Sequence, residues 1–144
     1  MSKFDRLTIS WKKHLRSPPP HAIFDIPVVH KIRKLYAYVY LIGNKLPKRD
    51  KLGLHSHIEK EFLRAFSFLI SASLESKSEK VILIKKARLQ IETLKQLVRT
   101  EYEIKIIPEK AYLNIELKLQ EISKMINGWL KYSETQNPRT LPGM

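Results

Sequence analysis

The chain contains no cysteine and only four glycines among its 144 residues. Without cysteine there can be no disulfide bond, thiolate catalysis or cysteine-based zinc site, and such a chain suits the reducing cytoplasm, where we expect it to act. The scarcity of glycine favours a helical fold, because many-stranded folds need glycine in their turns. No apolar run reaches the roughly 18 residues of a transmembrane helix, and no signal-peptide pattern follows the N-terminus, so no membrane partner is predicted.

Positive charge is in large excess. The sequence has 27 Lys and Arg against 14 Asp and Glu, a net charge of +13. The first 25 residues carry only +3 of this charge, so most of it lies on residues 26–144. A polyanion usually relieves such self-repulsion, and nucleic acid is the commonest polyanion. We therefore expect RNA or DNA as a partner, the alternative being that the charge only attracts an acidic protein.

Three segments are predicted along the chain. Residues 1–25 form a basic arm with a proline-rich linker, residues 26–132 form the folded body, and residues 133–144 form a flexible tail. Trp11 in the arm is flanked by Lys12 and Lys13. This tryptophan could stack on a nucleic acid or anchor the arm on the folded body.

Four apolar stripes recur within residues 26–132 at alternating steps of three and four, the spacing of one buried helix face. The first predicted helix runs from Pro27 to Pro47, the second from Asp50 or Leu52 to about Ser73, the third from about Lys77 to Ile104, and the fourth starts at Pro108. The stripes consist of Val28, Ile32, Leu35, Val39, Ile42 and Leu46; Leu54, Ile58, Phe62, Ala65, Leu69 and Ala72; Ile84, Ala87, Ile91, Leu94 and Val98; and Tyr112, Ile115, Leu119, Ile122, Ile126 and Trp129.

Short links between these helices force neighbours to run in opposite directions. The predicted fold is therefore all-α, an antiparallel up-down four-helix bundle. Ser76 and Glu79 match a capping box at the start of the third helix. The second helix is apolar on nearly all sides from Ala65 to Leu74, which indicates burial against a further subunit. The candidates for this subunit interface flank the stripes and are Tyr40, Phe66 and Phe68.

No pattern for catalysis or metal binding is evident. The Glu-x-x-His pair of di-metal bundles is absent, and His55 and His57 are two positions apart, so they point in different directions on a helix. His55 and Glu59 are one turn apart and are interpreted as a surface pair. The stripes hold almost no ionisable residue, and no glycine-rich phosphate loop occurs. We therefore predict no enzyme activity, no metal and no cofactor.

Cations on the third predicted helix form a second stripe beside the apolar one. Lys85, Arg88, Lys95 and Arg99 share this face, which is roughly 20 Å long and is interrupted only by Glu92. A length of that size spans several phosphates of one strand. The pattern predicts phosphate contacts with weak sequence preference. The other predicted nucleic-acid-binding residues are Lys86, Lys31, Lys34, Lys48, Arg49 and Lys51.

Four segments carry a resemblance to a known family: Ile26–Lys31, Leu46–Gly53, Lys86–Leu89 and Ile126–Lys131. On these segments the chain resembles the accessory variability determinant proteins of diversity-generating retroelements over about residues 26–132. The resemblance implies a ring-like homopentamer of four-helix subunits that binds RNA or DNA. It also implies a reverse transcriptase as partner, which copies a template RNA into mutated cDNA while the accessory protein itself is not the polymerase.

Two departures qualify this resemblance. The first 25 residues look like an addition to the family core. Related bundles encoded by intervening sequences of ribosomal RNA share the architecture, and a structural or protein-interaction role of that type, without a polymerase partner, is the alternative. Those bundles usually carry a Ser-Ile-Pro-Ser-Asn-Ile-Ala-Glu-Gly type segment in the second helix. Residues Phe66–Ser73 differ from that segment, which favours the retroelement family.

Overall fold

The computed structural model describes residues 26–135. In chain order the helices are α1 (Pro27–Gly43), α2 (Lys48–Leu52), α3 (Leu54–Leu74), α4 (Lys77–Glu103) and α5 (Glu109–Thr135). Helix α2 has only five residues and lies in the first connection, so the body consists of four long helices. No strand occurs between residues 26 and 135. The predicted all-α four-helix bundle is confirmed.

The predicted arm, including Trp11, lies outside the described residues, and so does the predicted tail from residue 136 onward. Residues 133–135, which were assigned to the tail, form the last turn of α5. No helix among residues 26–135 is both long and apolar enough to cross a lipid bilayer.

The helices begin and end close to the residues that the sequence predicts, but the end of α1 and the cap of α4 differ from the prediction. Pro27 occupies the first turn of α1, where a missing N–H costs no helical hydrogen bond. This helix ends at Gly43, earlier than the predicted Pro47, because the N–H groups of residues 44–46 donate three positions back, in turns tighter than an α-helix. Ser76 precedes α4 in an extended conformation, but its side chain makes no capping hydrogen bond. The capping box predicted for Ser76 and Glu79 is therefore wrong.

The turn between α4 and α5 depends on one residue with a left-handed backbone. Lys105 has φ 65°, which is uncommon for a residue other than glycine. Its N–H donates to the carbonyl of Tyr102 at 3.0 Å, and the N–H of Ile106 donates to the carbonyl of Glu101 at 2.9 Å. These bonds form a Schellman motif, which ends α4 and turns the chain back toward α5.

Contacts between side chains show the antiparallel arrangement. His55 near the start of α3 contacts Glu101 near the end of α4, and Glu61 further along α3 contacts Gln90 further back on α4. Helix α1 packs against α3 and α5, and α4 also packs against both of these helices. The order around the bundle is therefore α1, α3, α4, α5, and the four helices enclose one core.

The core is built from the predicted apolar stripes. All five stripe residues of α4 and the central stripe residues of the other long helices are buried. Phe62, near the middle of α3, is the largest fully buried side chain. The half-buried stripe residues lie near helix ends or in the first connection, and they are Ile42, Leu46, Leu54, Tyr112 and Trp129.

Candidate nucleic-acid interface

The predicted cationic stripe of α4 lies along the groove between α4 and α5. The Nζ atom of Lys85 is 3.8 Å from Oε1 of Glu134 on α5. The hydroxyl of Ser123 on α5 lies 3.4 Å from Oε1 of Glu92, to which it donates. The stripe therefore borders α5, and we call this surface, with Lys85, Arg88, Lys95 and Arg99 on its α4 side, the α4–α5 groove.

Two cations of the α4–α5 groove have acidic partners on α4 itself. The Nζ atom of Lys95 lies 2.9 Å from Oε1 of Glu92, and Nε of Arg99 donates to Oε1 of Glu103 over 2.8 Å. The hydrogen bond and the charge of Glu103 raise the pKa of the Arg99 guanidinium above its usual value. The groove is therefore mixed in charge, whereas the spacing on one helix indicated a surface of nearly one sign.

Arg88 and Lys86 are exposed and form no ion pair with any residue between 26 and 135. Phosphates can reach these two side chains without displacing a carboxylate. Exposed ion pairs contribute only about 0–1 kcal/mol, so a phosphate can also compete for Lys85 and Arg99. An anion can thus reach the α4–α5 groove, but the neighbouring carboxylates make its net positive charge smaller than the number of its cations indicates.

A second group of cations lies where α1 and α4 end and where α3 and α5 begin. We call this surface the loop end, and its exposed cations are Lys45, Lys48, Arg49, Lys51, Lys105 and Lys110. None of the six forms an ion pair within the part of the chain that the structure describes. Asp50 and Glu109 are the acidic residues of the adjacent helix starts. Positive charge therefore exceeds negative charge at this end of the bundle.

The remaining predicted cations, Lys31 and Lys34, lie on the side of α1 that faces α5. Lys31 forms an ion pair with Glu121 of α5. This hydrogen bond from Lys31 lowers the pKa of the Glu121 carboxyl below its usual value. Lys34 is exposed and has no carboxylate partner among residues 26–135. Both lysines line a cleft between α1 and α5.

The candidate interface residues Tyr40, Phe66 and Phe68 come from two helices and differ in exposure. Tyr40 is 53% exposed, and its ring centroid lies 6.2 Å from that of Tyr36. Phe66 and Phe68 are half-buried against the core. Because they are two positions apart, they point to different sides of α3. Their role in assembly stays a prediction.

Sequence reasoning missed a buried polar cluster centred on His55. The side chain of His55 is fully buried, so its interpretation as a surface partner of Glu59 is wrong. Its Nδ1 atom lies 3.1 and 3.2 Å from the two carboxylate oxygens of Glu101, which is 1% exposed. Its Nε2 atom lies 2.8 Å from the carbonyl oxygen of Val39 and 3.5 Å from Oε1 of Glu59. His55 therefore joins α1, α3 and α4.

Both ring nitrogens of His55 face acceptors, so the imidazolium form, which donates from both, satisfies the site best. Burial lowers the pKa of His55, but the hydrogen bond and charge of Glu101, the Val39 carbonyl and the charge of Glu59 outweigh it. The pKa is raised above the usual value of 6.5. Gly43 leaves room for this ring, since a Cβ atom there would lie 3.1 Å from Cδ2 of His55.

The raised pKa of His55 predicts that the protein loses stability as pH rises. A group whose folded pKa exceeds its unfolded pKa contributes fully below the unfolded value, here 6.5, and the contribution disappears as pH passes the folded value. We expect the free energy of unfolding, measured with urea at fixed protein concentration, to fall from about pH 6.5 upward. A His57→Asn variant, which removes an exposed histidine of the same helix and leaves the contacts of His55 in place, is the matched control. A His55→Asn variant with an unchanged slope would contradict the assignment.

Glu61 on α3 is a second buried acid at the edge of the core. Glu61 is 6% exposed and accepts a hydrogen bond of 2.5 Å from Nε2 of Gln90. Arg64 approaches it within 3.7 Å. The stripes themselves contain no ionisable residue, but the buried groups Glu61, His55 and Glu101 lie at their edges, where the sequence pattern does not predict them. Between residues 26 and 135 no three His, Cys, Asp or Glu side chains are grouped to hold a metal ion.

The fold and its surface define a class: an all-α antiparallel four-helix bundle with an excess of exposed cations. Comparison with known families shows to which family the chain belongs. The bAvd-like family matches residues 27–133, which is most of the chain and all four long helices. The protein therefore belongs to the bAvd-like family, as the resemblance predicted. No curated protein and no solved structure matches the chain.

Proposed function

We propose that this protein is a non-catalytic, cytoplasmic accessory subunit that binds nucleic acid and partners a retroelement reverse transcriptase. In this role it assists the mutagenic copying of a template RNA into cDNA. Membership of the bAvd-like family supports the accessory role. Residues 26–135 carry 21 Lys and Arg against 12 Asp and Glu, which supports contact of the bundle itself with a polyanion.

The observation that carries the nucleic-acid assignment is the set of exposed cations without carboxylate partners in the described chain. Lys48, Arg49 and Lys51 at the loop end and Arg88 in the α4–α5 groove belong to this set. Such cations bind phosphates and release counterions, so affinity depends strongly on salt. Phosphate contacts carry no sequence information. We therefore expect RNA and DNA of many sequences to bind at low salt.

Reversing the four cations of the α4–α5 groove tests this function. A variant with Lys85→Glu, Arg88→Glu, Lys95→Glu and Arg99→Glu should lose RNA affinity at physiological salt while it still folds and assembles. Each lost phosphate contact removes about 0.7 from the salt slope for a single strand, so the slope should fall by roughly 3. Fluorescence anisotropy of a labelled single-stranded RNA across a salt series measures both quantities.

The control for this variant is Lys60→Glu, a reversal of an exposed lysine on α3, which should change RNA affinity little. Binding that persists in the fourfold variant would remove the groove from the interface. The same reversal of Lys48, Arg49 and Lys51 then decides whether the loop end binds RNA. Binding that is absent from the unaltered protein even at low salt would contradict the proposed function as a whole.

The partner and the assembly need separate measurements. A reverse-transcriptase gene beside this gene, with paired repeats, would support the partnership, and co-purification of the two gene products would test it directly. We propose a homo-oligomer, a pentamer by resemblance, with Tyr40, Phe66 and Phe68 near its contacts. Native mass spectrometry gives the number of subunits. A monomer at micromolar concentration would contradict this assembly.

The second candidate function is a structural or protein-interaction bundle without a polymerase partner. The ion pairs of the α4–α5 groove favour it, because Glu134, Glu92 and Glu103 neutralise cations that phosphates would need. Under this alternative the groove would bind a protein surface that also has both signs of charge. Failure to bind RNA or DNA together with a defined oligomer would favour this candidate.

A further inference from the structure

A cleft of about 510 Å³ lies between α1 and α5. Its volume falls within the range of roughly 300–1,000 Å³ that is usual for small-ligand sites. Leu35 and Met125 line its apolar part, and Tyr38 and Asn114 line the same cleft from the two helices. An apolar surface with an aromatic ring and one amide fits a flat heterocyclic ring better than it fits a phosphate alone.

Lysines from both helices border this cleft. Lys31 and Lys34 come from α1 and Lys118 comes from α5. Glu121 is shared by two of them, since Lys31 pairs with it and the Nζ atom of Lys118 lies 4.0 Å from its Oε2. Lys124 also contributes to the lowered pKa of the Glu121 carboxyl. Three lysines therefore act on one carboxylate, and Lys34 adds a fourth cation to the cleft, which leaves a local excess of positive charge.

The α4–α5 groove differs from this cleft in the balance of its charges. There each of three cations has its own carboxylate, whereas here one carboxylate serves two lysines and Lys34 has none within the described residues. A phosphate approaching the cleft meets cations that are not fully neutralised. The cleft also has an apolar lining beside these cations. The α1–α5 cleft thus combines two features that a nucleotide needs, a surface for the base and charge for the phosphate.

We propose that the α1–α5 cleft binds one nucleotide of a single-stranded nucleic acid, with the base against Tyr38 and Leu35 and the phosphate beside Lys34 and Lys118. This inference rests on the proposed nucleic-acid binding. It specifies that the nucleic acid binds at the α1–α5 cleft and that it is single-stranded there. A base in a duplex is stacked and paired, so it cannot enter a cleft between two helices. The amide of Asn114 offers both a donor and an acceptor to the edge of the base.

The test compares three probes on two variants, Asn114→Leu and Tyr38→Leu. The probes are a labelled single-stranded RNA, the duplex of the same sequence, and an oligonucleotide of equal length without bases. We expect each substitution to weaken single-strand binding about 10-fold, because stacking on an aromatic ring and hydrogen bonds from an amide to a base edge each contribute at about this level. Duplex binding should not change. The base-free strand should bind the unaltered protein weakly and should not respond to either substitution.

Asn127→Leu is the matched control, because Asn127 is an exposed residue of α5 that does not line the cleft. Equal losses in Asn127→Leu and Asn114→Leu, or equal binding of the strands with and without bases, would overturn the cleft while the proposed function stands. No binding of any probe at low salt would instead overturn the proposed function. A change in subunit number caused by Asn114→Leu would make the cleft a subunit contact and would also overturn this inference.

Discussion

Replacing Glu101 with Leu should lower the free energy of unfolding by about 3–5 kcal/mol, because it deprives a buried imidazolium of its nearest carboxylate and of the hydrogen bond at Nδ1. Glu101 is 1% exposed, and both of its carboxylate oxygens lie within 3.2 Å of Nδ1 of His55. Without it, His55 must either stay charged with only Glu59 nearby or lose its proton. Urea denaturation followed by circular dichroism measures the loss. The protein concentration must be fixed, since assembly makes stability depend on it.

Two further variants give this prediction its controls. Glu103→Leu removes an exposed partner of Arg99, so it should cost at most about 1 kcal/mol. The double variant His55→Leu with Glu101→Leu replaces the pair by apolar side chains and should be more stable than Glu101→Leu alone. If Glu101→Leu costs no more than Glu103→Leu, then the buried ion pair does not form in solution.

Replacing Phe62 with Ala should lower the free energy of unfolding by about 3–5 kcal/mol, since it removes a fully buried ring and leaves a cavity. Phe62 is 0% exposed and lies near the middle of α3. The surrounding side chains come from long helices that cannot close the gap without moving together. The same denaturation experiment measures this loss, and an unchanged slope with urea would show that the folded state keeps its compactness.

Leu63→Ala is the control for this substitution, because Leu63 is the next residue of α3 and is 47% exposed. It should cost about 1 kcal/mol or less. A loss below about 1 kcal/mol for Phe62→Ala would contradict the described core. Equal losses for both substitutions would mean that the outer face of α3 is also buried, as it would be in contact with another subunit.

The fold could be predicted from sequence because each helix carries its own signal. The stripe from Ile84 to Val98 repeats at helical spacing, and all of its residues are buried. Proline and the short links locate the ends of the helices within a few residues. The order of the helices then follows from connections too short to allow anything but antiparallel neighbours. Packing, periodicity and connection length therefore all favour the same antiparallel four-helix bundle.

The polar pairs could not be predicted because they join residues far apart in sequence. His55 and Glu101 are 46 positions apart, and Lys85 and Glu134 meet only because α5 returns along α4. Spacing on one helix shows which residues share a face, but it does not show what lies across from them. In the sequence, Glu59 lies one helical turn after His55, and this spacing predicts it as the partner. The hydrogen bond to Glu101 could not be inferred from that spacing. The ion pair of Lys85 in the cationic stripe was missed in the same way, since its partner Glu134 lies on another helix.

The position of His55 limits how the loop end can open. A hydrogen bond to the Val39 carbonyl holds α1, and one to Glu101 holds α4, while the ring itself belongs to α3. None of these three helices can fray at this end by itself, because each terminal turn is tied to the other two. Amide hydrogen exchange there should therefore follow one shared opening event. The helices next to the loop-end cations are thus held in place before an anion binds. This lowers the entropy cost of ordering this part of the protein on binding.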